Sequence, residues 1–321
     1  MHYTLFLGEI EAVKFLLKNG ANPNKPAKNG YPPIHIINAE PKMSDETWKK
    51  LAELLLKHGA KIDTPNPKGQ TVLHKTILDK KSLRAVFLIE KGANVSLKTK
   101  KGNKPLHLAT KNGLSGVVTA LIKAKADVNT YGNKGYTPLH MAARVGPLKT
   151  VQELVEAGAN IHSLNSYSST PLHRAAVGGN VEILEYLLSK GARLADLAAN
   201  KKSIQHYAAT GGHVPMLKYL IEGKKLSATA ATTGGVTVFH DAAYKGHTEA
   251  LKYLVSVGAK VNGAAQDGHS ALHLAVEGKH VSAVKFLLEK GADNTARNMQ
   301  NLTPLDLATK AGHAEIVKLL K

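Results

Sequence analysis

From Tyr136 to Asn165 the apolar and polar positions follow helical spacing twice, with a break between. Leu139, Ala142 and Ala143 make one apolar face, and Val151, Leu154 and Val155 make a second after Gly146. Each face recurs at i, i+3 and i+4, which predicts two short amphipathic helices rather than strands. Thr137 is placed to cap the first helix, and Pro138 suits its first position, where a missing N–H costs nothing. Gly158 supplies a left-handed residue that stops the second helix. Such a pair cannot bury its own apolar face, so it must stack on copies of itself.

The copies are present. The histidine of Leu139-His140 recurs at His2, His35, His74, His107, His173, His206, His240 and His273, with Asp306 in the tenth slot, and nearly every step is 33 residues. Glycine-alanine pairs at Gly20, Gly59, Gly92, Gly158, Gly191, Gly258 and Gly291 keep the same period. Two independent markers in one register imply a repeat array, whose core grows lengthwise. The expectation is one array over residues 1–321, with ten helix pairs of which the first and last are incomplete. Both ends read as cut or continued, because neither carries the polar outer face of a capping repeat.

The segments Thr137-Pro138-Leu139-His140-Met141-Ala142, Thr170-Pro171-Leu172-His173-Arg174-Ala175, Ser270-Ala271-Leu272-His273-Leu274-Ala275 and Thr303-Pro304-Leu305-Asp306-Leu307-Ala308 carry a resemblance to the ankyrin repeat family from end to end. That resemblance implies an all-α fold, an ankyrin-repeat α-solenoid with short β-turn fingers, in which fingers and first helices line a concave surface. It further implies non-enzymatic protein–protein recognition, and such arrays occur in scaffolds, channels, venom toxins and bacterial effectors. The lysine-rich, cysteine-free composition tilts the reading toward an effector. Leu121 with Asp127-Val128-Asn129 also resembles the pattern that asparaginyl hydroxylases modify, but Asn129 reads first as an ordinary turn residue.

Three departures from the period stand out. Six extra residues between His35 and His74 fall within Ala39 to Trp48, predicting a longer interhelical loop with Ser44 or Asp45 capping the delayed helix. Trp48 is expected to cover the apolar underside of that loop rather than to anchor a partner. Gln205 stands where leucine stands in the quoted segments, and Glu222-Gly223-Lys224-Lys225 lacks the alanine. The finger Ala228 to Gly235 then reads as one residue too long, and residues 205–235 are expected to form the weakest seam.

Chemistry adds little to this picture. Nine of sixteen histidines sit in the repeat slot, and copies spaced by about 10 Å cannot share a metal ion. His213, His247, His280 and His313 read as helix-start residues. Nucleotide-binding loops, nucleophile elbows and zinc-protease motifs are absent. Glu11, Glu182, Glu249 and Glu315 fall in the first turns of second helices, where the helix dipole favours them. No catalytic, cofactor or metal site is expected.

Charge changes the picture more. Residues 1–161 hold 25 basic against 12 acidic residues and the remainder 18 against 12, so most of the net +19 lies in the front half. Lys98, Lys100, Lys101 and Lys104 on fingers, with Lys75, Lys111 and Arg144 on first helices, form a basic stripe. Tyr136 lies on a finger, and Arg174, Tyr207, Asp241, Tyr244 and Lys245 fill variable first-helix slots; arginine and tyrosine are the usual interface anchors. The stripe would steer an acidic protein partner and the tyrosine–arginine patch would hold it. Binding of a polyanion or an anionic membrane surface by the front-half lysines is the alternative, although few aromatics weaken single-strand stacking. The chain has no apolar run long enough to span a bilayer, and it reads as a cytoplasmic monomer, in the host cytosol if it is an effector.

Overall fold

The computed structural model describes residues 1–321. It divides into two units, Met1–Asn160 and Ile161–Lys321. The first unit stacks five helix pairs: α1 (His2–Leu7) with α2 (Ile10–Lys18), α3 (Pro33–Ile36) with α4 (Asp45–Lys57), α5 (Val72–Leu78) with α6 (Ser82–Glu90), α7 (Pro105–Lys111) with α8 (Ser115–Lys123), and α9 (Pro138–Val145) with α10 (Leu148–Glu156). The second stacks α11 (Pro171–Gly178) with α12 (Val181–Ser189), α13 (Ile204–Gly211) with α14 (Val214–Lys218), α15 (Val238–Tyr244) with α16 (Thr248–Ser256), α17 (Ala271–Glu277) with α18 (Val281–Glu289), and α19 (Pro304–Lys310) with α20 (Ala314–Leu320). Within each unit, first helices pack on first helices and second on second. Residues such as Leu139, Leu172, Leu184 and Leu251 are thereby fully buried.

The slot histidine does two jobs. At its Nδ1 it accepts the N–H and hydroxyl of the capping residue, as His74 does from Thr71 at 3.2 and 2.8 Å. That contact fixes the tautomer, so Nε2 carries the proton, and in most copies it donates to a carbonyl in the next finger, whereas at His173 it is buried without a partner. His74 reaches Leu97 at 3.1 Å, His206 reaches Val236 at 3.0 Å and His273 reaches Leu302 at 3.1 Å. Pro32 precedes α3 with neither N–H nor hydroxyl, and His35 Nδ1 is accordingly buried without a partner. The structural reading of the slot histidines holds, and their role extends to tying adjacent repeats together.

A second histidine series is more informative than expected. His213, His247 and His280 do stand at the starts of α14, α16 and α18, but none caps its helix. Instead the rings reach back one repeat: His247 Nε2 donates to Thr210 at 3.0 Å and His280 Nε2 to Tyr244 at 3.0 Å. Glycine makes room for them. A Cβ on Gly246, whose φ is +71°, would lie 2.3 Å from His280 Cγ. Gly246→Ala should therefore cost at least about 1–2 kcal/mol from the left-handed backbone alone, read as a lower urea midpoint.

Both irregular regions appear, with one correction. Ser44 caps α4 by accepting the Thr47 N–H at 3.1 Å, so the lengthened loop ends where expected. Trp48 is buried, as expected of a structural residue, with its ring edge-on to Phe87 at 5.6 Å and under Arg84 at 5.5 Å, both on α6. Arg84 also ties the end of the loop to α6, donating to Met43 and Asp45 at 2.6 Å each. In the second unit the finger after α14 is not lengthened. The left-handed residue precedes the next cap by twelve positions at Lys225 and Thr237, as at Gly191 and Ser203. The extra residue is absorbed earlier, in a π turn over Tyr219–Gly223 that shifts the left-handed position onto Lys225. A π turn accommodates one inserted residue without unwinding the helix.

Gln205 is buried, and its Nε2 finds the Ser227 carbonyl at 3.3 Å, a long bond for a buried amide. With a π turn beside it, residues 205–235 should exchange amide hydrogens faster than Leu172 to Leu188. Equal protection in the two segments would contradict this.

Candidate protein-binding surface

The positions one and four residues after each slot histidine share a face of the first helix, because residues three apart are neighbours on a helix. In the first unit this places Lys75 on α5, Lys111 on α7 and Arg144 on α9, beside fingers closed by backbone pairs such as Thr99 N–H to Asn103 at 2.9 Å. The basic stripe is only partly available. Lys98, Lys101, Lys111 and Arg144 are exposed and form no ion pair. Lys75 pairs with Asp79. Lys100 lies over Gly69 with Nζ 3.2 Å from the Pro67 carbonyl. Lys104 is largely covered, with Nζ 3.7 Å from Asp127. Tyr136 is half-buried, its ring edge-on to His140 at 5.9 Å.

In the second unit Arg174, Tyr207 and Asp241 occupy the first of these positions on α11, α13 and α15. Arg174 is half-buried, and Tyr207 lies against the His173 ring at 4.8 Å. Asp241 is only 8% exposed and takes Lys202 at 2.8 Å, so it is a structural ion-pair partner as much as a surface group. Sequence reasoning missed Lys202; its place directly before the Ser203 cap, beside the next first helix, was the available signal. Tyr244 is 44% exposed, and Lys245 Nζ sits 4.9 Å above its ring.

Burial holds the slot imidazoles of His35, His74, His206, His240 and His273 below their ordinary 6.5, against the opposing effect of the backbone bonds they make. His107 and His173 are lowered to about 4 for the same reason. No cluster of histidines and carboxylates has the geometry to hold a metal ion. Asn129 behaves as a turn residue, donating to Gly158 at 2.9 Å and accepting from the Asn160 N–H at 2.7 Å.

Stacked helix pairs with hairpin fingers and slot histidines define a helical repeat protein. The family description "Ankyrin repeats (3 copies)" matches residues 43–132, 79–165, 130–197, 193–265 and 242–321, and the chain belongs to the ankyrin repeat family. The crystal structure of the human ASB11 ankyrin repeat domain is similar, with 25% identity and a TM-score of 0.52 over 68% of this chain and 98% of that domain. None of the curated proteins compared matches the sequence significantly. Ankyrin repeats are generally protein–protein interaction modules, and the family is typically non-enzymatic. No helix is long and apolar enough to cross a membrane.

Proposed function

We propose that this chain is a non-enzymatic binding module, acting as a monomer, that grips a partner protein with an acidic surface through its fingers and first helices. The observation that carries this reading is the set Lys98, Lys101, Lys111 and Arg144, exposed and unpaired in a unit already rich in positive charge. Unpaired surface cations steer an acidic partner into contact at long range. Tyr244, exposed beneath Lys245, and half-buried Tyr207 supply anchors that combine apolar area with a hydrogen-bonding end. The test is an affinity capture with the wild-type chain and a Tyr207→Ala, Tyr244→Ala double variant. A protein retained by the first and lost by the second, with helicity unchanged, supports the reading; identical captured sets contradict it. Salt separates the polyanion alternative, for which log K should fall steeply and linearly with log salt.

A further inference from the structure

One finger residue faces two neighbours that ask opposite things of it. Four residues before the slot, where other fingers carry residues such as Gln70, Tyr136, Ser169 and Val236, the finger before α17 carries His269. Asn298 Nδ2, on the following finger, donates to His269 Nε2 at 3.1 Å, and Glu277 Oε1, at the end of α17, lies 3.4 Å from the same nitrogen. His269 Nδ1 lies 3.2 Å from Asp267 Oδ1, close but outside hydrogen-bonding geometry.

The orientation of Asn298 decides the tautomer. Its Oδ1 accepts the N–H groups of Gln300 and Leu302 at 3.0 Å each, which closes its finger and turns the amide nitrogen to the imidazole. Neutral His269 therefore keeps Nε2 bare to accept from Asn298, and its proton sits on Nδ1 toward Asp267. In that state the Glu277 carboxylate faces a lone pair. A charged ring reverses the preference: Nε2–H attracts Glu277 and opposes the Asn298 N–H groups, while Nδ1–H still faces Asp267. His273, whose ring lies 5.6 Å away, is held below its ordinary 6.5, by burial first and by His269 as well, so it resists a second charge. On α15, His240 is held low by burial, and on the Asn298 finger Arg297 donates to the Asn301 carbonyl at 2.8 Å. From α19 the charged groups are Asp306, bound to its cap Thr303, and exposed Lys310.

From this geometry we infer that His269 is an acid-operated catch between α17 and the Asn298 finger. Neutral, it holds the finger through Asn298; charged, it turns its bond to Glu277 and releases the finger. Imidazoles exchange their proton between about pH 5 and 8, so the catch works under mild acid. The finger runs directly into Thr303, the cap of α19, and its release loosens the entry to the last helix pair.

The test is a titration of the ¹⁵N-labelled full chain by NMR from pH 7.5 to 5.0, reading the His269 ring nitrogens and hydrogen exchange at Gln300 and Leu302. The fingers of Asn66 and Asn165 are internal controls for general loosening. Both side chains accept the same pair of N–H groups, and Tyr31 and Tyr136 stand at the places that correspond to His269. At pH 7.5 the ring proton should sit on Nδ1. As the ring becomes charged, Gln300 and Leu302 should exchange about tenfold faster relative to the control fingers, the loss of roughly one hydrogen bond. Glu277→Gln withdraws the carboxylate that favours the charged ring and should shift this response to lower pH, and His269→Gln should abolish it. A ring proton on Nε2 at pH 7.5, exchange that rises equally in all three fingers, or a response unchanged in a folded Glu277→Gln or His269→Gln variant overturns the proposal.

Discussion

Replacing Trp48 with alanine should destabilise the first unit by about 3–5 kcal/mol, the range for removing a buried aromatic side chain. The ring is 1% exposed and meets Phe87 edge-on, with the Arg84 guanidinium over its face. Its removal also leaves Arg84 without its stacking surface while that group still holds Met43 and Asp45. Trp48→Phe should be mild, below about 1.5 kcal/mol, because the ring volume is largely kept and the indole N–H has no partner to lose. Urea denaturation followed by circular dichroism reads both. A loss under about 1 kcal/mol for the alanine variant would place the ring outside the core.

Acidification should weaken the fold well before its carboxylates are protonated. In the unfolded chain His107 and His173 take up protons near pH 6.5, whereas in the folded chain burial delays this to about pH 4. Between those values the unfolded state binds more protons, so stability present above about pH 6.5 declines as pH falls toward 4. By pH 5 each should have lost about 2 kcal/mol of its contribution. The buried imidazoles of His74, His206 and His240 shift the same way and add to the slope. Urea midpoints at pH 7.5, 6.0 and 5.0 test this, and His107→Asn should flatten the dependence in proportion. A fold equally stable at pH 7.5 and 5.0 would mean that the slot histidines are protonated without penalty.

Most of the fold was legible in the sequence because its signals are local and periodic. Thr137 and Pro138 announce a helix start, Gly158 a helix stop, and the 33-residue step announces stacking; none of these needs a long-range contact to interpret. What the sequence left open were contacts that depend on a neighbouring repeat. Phe87, which Trp48 meets edge-on, comes thirty-nine residues later in the chain, and Asp241 is paired with Lys202 of the preceding repeat. The π turn at Tyr219–Gly223 was invisible because the spacing between His206 and His240 reveals that a residue is added without saying where. The candidate binding surface was legible only as a set of variable slots. Lys104 and Lys100 looked as free as Lys98 and Lys101 until Asp127 and the Pro67 carbonyl were seen beside them.

The ankyrin family assignment and the exposed cations converge on one claim, that the fingers and first helices are where a partner protein is held. Binding kinetics of a captured partner test it most directly, with each variant checked for unchanged helicity. Reversing Lys98 and Lys101 to glutamate should mainly slow association, and more so at low salt, whereas Tyr207→Ala with Tyr244→Ala should mainly speed dissociation. Association and dissociation rates unchanged in both variants would contradict the account.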